Sequence, residues 1–125
     1  MIVLDTHALV WWLADPRRLG RAARSEIGRA DTIGVPTIVF WEVAMLVRRR
    51  RLAVGDVDLW TRRVLELPRV AQLPLDAATA ILAERLDMHP DPADRFIVAT
   101  SLAQRAALVT KDERIRGLHL VPTIW

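Results

Sequence analysis

A chain of 125 residues, 52% of them hydrophobic, is long enough to bury a core and too apolar to stay disordered. It contains no Cys, which excludes disulfides, thiolate catalysis and Cys-ligated zinc. The net charge is only +3, yet the pI is about 10.8, because Lys111 is the one Lys among 18 basic residues. An Arg-rich surface suits phosphate and nucleic acid, and the same excess follows from GC-rich coding, so composition alone does not decide. No charged leader with a cleavage site is visible, and the apolar runs fall short of the ~20 residues a membrane span needs. The expectation is a cytoplasmic protein with no membrane segment.

Met1–Leu4 reads as a buried strand, followed by a helix over Thr6–Leu13 that Asp15-Pro16 ends. Arg21–Arg29 forms a polar surface helix. Thr32–Val35 is a second strand stopped by Pro36, and Thr37 is placed to cap a helix running to about Arg51. Gly55 and Asp56 restart a helix through Glu66, and Val70–Leu73 is a third strand. Asp76 caps a helix through Leu86, with Ala78, Ile81, Leu82 and Leu86 expected to face inward. His89-Pro90-Asp91-Pro92 is a loop, and a helix follows from Pro92 or Ala93 to Ala106. Ala107–Thr110 is the fourth strand, and His119–Val121 is the candidate fifth. Strands alternating with helices predict a three-layer α/β domain over residues 1–125. Its centre is a parallel sheet of about four or five strands flanked by helices.

This topology gives the acidic residues meaning. Asp5 follows the first strand and Asp112 lies just beyond the fourth, so both belong on the C-terminal edge of one sheet, where α/β proteins bind ligands. Asp94 begins a helix, where ordinary capping explains it equally well. Glu42 lies among Phe40, Trp41, Val43, Ala44 and Leu46, and a Glu in such a helix needs a partner, either an Arg or a cation. Converging carboxylates with no Cys beside them favour Mg²⁺ or Mn²⁺ over zinc. Such an ion activates water and stabilises charge on a phosphodiester. His7, His89 and His119 have no paired ligand spacing and read as structural, loop and strand-end residues. A P-loop and a Gly-rich dinucleotide turn are both absent. A small phosphatase with Asp5 as nucleophile and Lys111 nearby stays open, although position 7 is His where the haloacid-dehalogenase-type enzymes have a second Asp.

The segments Leu4-Asp5-Thr6-His7-Ala8, Phe40-Trp41-Glu42-Val43-Ala44, Asp91-Pro92-Ala93-Asp94-Arg95 and Leu108-Val109-Thr110-Lys111-Asp112 together resemble the PIN-domain ribonucleases. Among these they resemble most the VapC-type toxins of bacterial toxin–antitoxin pairs. Order and spacing match over essentially the whole chain. The resemblance implies an endoribonuclease, usually homodimeric, that is silenced by a cognate antitoxin filling its groove. It implies that Asp5, Glu42, Asp94 and Asp112 hold Mg²⁺ or Mn²⁺ and carry catalysis, with Asp91, Thr6 and Thr110 as accessories and Arg95 as a salt-bridge partner. One departure is Val39, where many relatives have Ser three residues before the Glu; Thr37 is the nearest substitute hydroxyl. Arg48-Arg49-Arg50-Arg51 is either a solvated helix end or a track of RNA-backbone contacts. The Trp residues are expected in the core and at an interface. The alternatives to a nuclease are a catalytically silent RNA- or antitoxin-binding module and the aspartate-based phosphatase.

Overall fold

The computed structural model describes all residues, Met1–Trp125. Its centre is a five-stranded, all-parallel sheet in the order β3-β2-β1-β4-β5. The strands are β1 (Ile2–Leu4), β2 (Ile33–Pro36), β3 (Val70–Leu73), β4 (Ala107–Val109) and β5 (Thr123–Ile124). The helices are α1 (Thr6–Ala14), α2 (Arg21–Arg29), α3 (Thr37–Arg48), α4 (Val57–Leu65), α5 (Ala77–Arg85), α6 (Pro92–Ala103) and the short α7 (Glu113–Arg116). Parallel strands need crossover connections, and here helices supply them, so both faces of the sheet are covered. The expected three-layer α/β architecture is what forms. No helix is long and apolar enough to cross a membrane.

Residues of β1 are buried throughout, which is why Ile2-Val3-Leu4 carries no polar alternation. Val3, Leu4, Leu9, Ile33, Val35, Val39, Val43, Val98, Leu108 and Val109 have no solvent exposure and form the centre of the core. The chain runs outward from β1 to β2 and β3, then returns across β1 to β4. The reversal opens a crevice between β1 and β4 at their C-terminal ends. Asp5 and Asp112 stand on either side of that crevice, each capping the helix that follows its strand.

Several local expectations are revised. The fifth strand lies at Thr123–Ile124, because Leu120 and Val121 pack on the core while backbone pairing with β4 begins later. Helix α3 ends at Arg48, and Arg50 turns left-handed (φ 56°) as the chain leaves it. Thr37 does not cap α3; its hydroxyl donates to the Leu73 carbonyl at 3.0 Å and accepts from Gln72 Nε2 at 3.1 Å, tying α3 to the end of β3. On α5 the buried residues are Thr79 and Ala83, whereas Ala78 and Ile81 are exposed. Helix α7 and a 3-10 turn at Pro16–Arg18 are too short to leave a periodic signature.

The central strand β4 offers a direct check on the core. Leu108→Ala, at a site with no exposure, is expected to lower the free energy of unfolding by about 2–5 kcal/mol. Leu65→Ala, on the outer face of α4, is expected to change it by no more than about 1 kcal/mol. Urea titrations of both variants measure the difference.

Candidate active site

One cleft of about 430 Å³ lies at the C-terminal edge of the sheet, and Asp5, Glu42, Asp91, Asp94 and Asp112 all line it. Asp5 ends β1 and accepts from the Ala8 N–H at 2.7 Å as N-cap of α1. With 8% exposure it is almost sealed from water, and burial pushes its pKa up to about 6. The Thr110 hydroxyl and the Ala8 N–H offset part of that rise by favouring the charged form. Thr110 also accepts the Asp112 N–H at 3.0 Å, so one buried hydroxyl couples the ends of β1 and β4.

Glu42 projects from α3 into the cleft, and its partner is the Thr6 hydroxyl rather than an Arg. Burial raises its pKa, and the nearby charge of Asp94 raises it further. Val39 is buried in the core, and Thr37, the expected substitute hydroxyl, bonds Leu73 and Gln72 and does not line the cleft. Asp91, not Asp94, caps α6: its side chain accepts from the Asp94 N–H at 3.2 Å. Asp94 then falls in the first turn with its carboxylate turned to the cleft. Its pKa is raised by burial and by the charges of Asp91 and Asp112.

Two groups that sequence reasoning passed over hold Asp94. His89 Nε2 is 2.7 Å from Asp94 Oδ2, and Arg114 Nη2 is 3.4 Å from the same oxygen. Arg114 also reaches Asp112, with Nη2 3.1 Å from Oδ2 and its backbone N–H 2.8 Å from Oδ1. Burial pushes the Asp112 carboxyl up, but these contacts outweigh it and leave the pKa below the usual range. His89 lies in a loop that folds back on α6, and Arg114 sits two residues past an acidic cap. Those placements were the only signals available in the sequence.

Arg95 makes no salt bridge. Its guanidinium donates to the carbonyls of Ala83, Glu84, Leu86, Met88 and His89 at 2.7–3.4 Å, closing the end of α5 and the loop that carries His89. His7 and Lys111 line the cleft mouth around Trp11; the His7 ring lies 5.5 Å from the Trp11 ring and Lys111 Nζ 5.5 Å from its centroid. Beside the cleft, and sharing Thr6, His7 and Trp11 with it, runs a groove of about 810 Å³. Val10, Leu13, Leu46, Leu52 and Trp60 form its apolar floor, with Arg18 and Arg51 on its walls. None of Arg48, Arg49, Arg50 and Arg51 lines the carboxylate cleft, and Arg51 alone lines the groove.

The donor set consists of carboxylate oxygens with a buried hydroxyl beside them, a chemistry that fits a hard divalent cation. As the side chains lie, no three of the Asp, Glu and His groups are close enough to share one ion. Thr6 holds Glu42, His89 holds Asp94, and Arg114 draws Asp94 and Asp112 toward itself.

A sequence profile of the PIN domain matches residues 2–119. Ribonuclease VapC22 of Mycobacterium tuberculosis is 35% identical over 99% of this chain and 98% of its own length. The fold is also similar to that of VapBC2 from Rickettsia felis bound to a DNA fragment from their promoter, with a TM-score of 0.71 at 16% identity over 98% of this chain and 97% of that one. VapC20 of Mycobacterium tuberculosis, a sarcin–ricin loop cleaving toxin, superposes with a TM-score of 0.68 at 17% identity over 97% of each chain. This chain belongs to the PIN-domain family, in its VapC branch.

The raised pKa of Asp5 has a stability consequence in metal-free protein. Between the ordinary value of 3.8 and the folded value of about 6, the folded chain keeps a proton that the unfolded chain has lost. Stability contributed by this group therefore falls as pH rises through that window, by up to about 3 kcal/mol. Melting curves in chelator across pH 4–7.5 are expected to show a decline that Asp5→Asn reduces, with Glu42 and Asp94, whose pKa values are also raised, supplying the remainder. A second expectation concerns Arg95. Arg95→Met strands several carbonyls, costs about 1–3 kcal/mol and speeds amide exchange over residues 86–89.

Proposed function

We propose that residues 1–125 act as one PIN domain, a Mg²⁺- or Mn²⁺-dependent endoribonuclease that serves as the toxin of a toxin–antitoxin pair. The observation that carries this reading is the meeting of Asp5, Glu42, Asp94 and Asp112 in one cleft, in a chain 35% identical to a ribonuclease along nearly its whole length. Buried carboxylates that repel one another need a cation or protons, and at neutral pH a divalent ion is the stronger compensation.

In this mechanism Asp5, Glu42, Asp94 and Asp112 would hold the ion once their side chains turn toward it. When bound, the ion lowers the pKa of water and offsets charge developing on the phosphodiester. The protein's own part is orientation. Thr6 fixes the Glu42 carboxylate, and Thr110 keeps Asp5 and Asp112 in register across the β1–β4 crevice. His89 aims Asp94, and Asp91 starts the helix that carries it. Lys111 and His7 at the mouth are placed to meet the RNA backbone.

Solved relatives include a toxin–antitoxin complex from Klebsiella pneumoniae. The apolar groove beside the cleft, with Arg18 and Arg51 on its walls, has the shape and charge to take an antitoxin segment. A homodimer is supported by Trp41 and Ile81, 54% and 52% exposed on α3 and α5, the helices that flank α6. The Arg48–Arg51 run, outside the carboxylate cleft, contributes general attraction for RNA through its charge.

Purified protein is expected to cut RNA with Mg²⁺ or Mn²⁺ and to stop in chelator. Asp5→Asn, Glu42→Gln and Asp94→Asn are each expected to slow cleavage by at least about a hundredfold. Cleavage that persists in Asp5→Asn or in chelator sinks the mechanism. RNA or antitoxin binding without any cleavage points to a silent binding module, and a trappable aspartyl-phosphate to a phosphatase.

A further inference from the structure

We propose that Arg114 is a built-in counter-cation of the cleft, which must release Asp94 and Asp112 before a divalent ion can gain both carboxylates. The inference rests on the metal-binding reading above and concerns how tightly the site takes its ion. Of the Arg and Lys side chains, Arg114 alone forms ion pairs with carboxylates of the cleft. Lys111, at the same mouth, lies over the Trp11 ring instead. The Arg114 Nη2 atom lies 3.4 Å from Asp94 Oδ2 and 3.1 Å from Asp112 Oδ2, spanning carboxylates from two different helices. This one nitrogen thus lies between the two carboxylates, in the space that an ion shared by both would take.

The remainder of the arrangement makes Arg114 removable. Its side chain is 63% exposed, and its side-chain hydrogen bonds run only to those two carboxylates. Releasing it therefore passes its donors to water and leaves none unpaired in a dry environment. Asp94 itself does not depend on Arg114 for its position, because His89 Nε2 holds the same oxygen at the shorter distance of 2.7 Å. A guanidinium so placed lowers the repulsion between the acids when no metal is present. It also lowers apparent metal affinity, because each binding event must first undo the two ion pairs.

Exposed pairs of this type are each worth up to about a fivefold change in an equilibrium, so removing both is expected to tighten metal binding by roughly three- to tenfold. The test is calorimetric titration of Mn²⁺ into metal-free wild type, Arg114→Ala, Arg114→Gln and Arg116→Ala. Arg116 is an exposed neighbour on α7 with no side-chain contact to the cleft acids, so it controls for net charge. Both Arg114 variants are expected to bind more tightly than wild type, and Arg116→Ala to stay within about twofold of it. Their melting temperatures in chelator should fall, and the rise on adding Mn²⁺ should exceed that of wild type. Equal or weaker binding by the Arg114 variants, beside normal binding by wild type, overturns the proposal and leaves the metal reading intact. Absence of Mn²⁺ binding in all the proteins overturns both. Should Arg114→Ala fail to fold, the comparison stands on Arg114→Gln.

Discussion

Asp5 is a carboxylate sealed at the end of the fully buried central strand, and most of the site's architecture answers to that one placement. Its capping bond to Ala8 begins α1, and the Thr110 hydroxyl beside it links β1 to β4. Glu42 and Asp94 then bring more negative charge into the same low-polarity space, where each raises the proton affinity of its neighbours. An arrangement assembled for stability alone would avoid this, since isolated buried charge costs several kcal/mol. The fold tolerates it through distributed compensation. Asp5 and Asp91 accept first-turn N–H groups of α1 and α6, hydroxyls engage the carboxylates, and Arg114 and His89 supply positive or donor groups from the rim.

That compensation explains why strand, helix cap and candidate ligand coincide in the same residues. Asp5, Asp91 and Asp112 each start a helix immediately after a strand or loop on the C-terminal side of the sheet. A parallel sheet turns its chain at this edge, so the capping residues of several helices gather there whatever their role. Asp is the residue that serves both purposes. It satisfies the first-turn N–H groups with one oxygen and leaves the other directed outward. Glu42 is different, because it lies in the body of α3 and satisfies no cap. It reaches the cleft only because α3 packs beside α1 and α6, and the Thr6 hydroxyl fixes where its carboxylate ends.

The same distinction separates what the sequence disclosed from what it concealed. β1, β3, α2 and the acidic cluster were legible because each depends on local pattern: an apolar run, a cap, a charge in an apolar setting. The fifth strand, expected at His119–Val121, lies at Thr123–Ile124 because Leu120 and Val121 are apolar for packing on the core, while pairing with β4 begins only at Thr123. The inward face of α5 was misjudged because a helix flanking another helix buries its small residues, here Thr79 and Ala83, and leaves Ile81 outside. His89 and Arg114 carried no pattern, and Arg95, expected as a salt-bridge partner from its place in the motif, binds carbonyls. Their importance lies in distances set by loop geometry, which no periodicity encodes.

Asp94 shows how two of those concealed residues differ in kind. On one side Arg95 spends its donors on the carbonyls of Ala83, Glu84, Leu86, Met88 and His89, turning a loop with two prolines into a fixed support for the His89 ring. That support is woven into the backbone and cannot be withdrawn without unfolding the loop. On the other side Arg114 holds the same carboxylate with an exposed side chain that gives up nothing but ion pairs on leaving. Position is thus supplied by the part of the protein that stays, and charge by the part that can go. A site that exchanges one cation for another needs this division. If the mobile group also set the geometry, releasing it would scatter the acids at the moment they were required together.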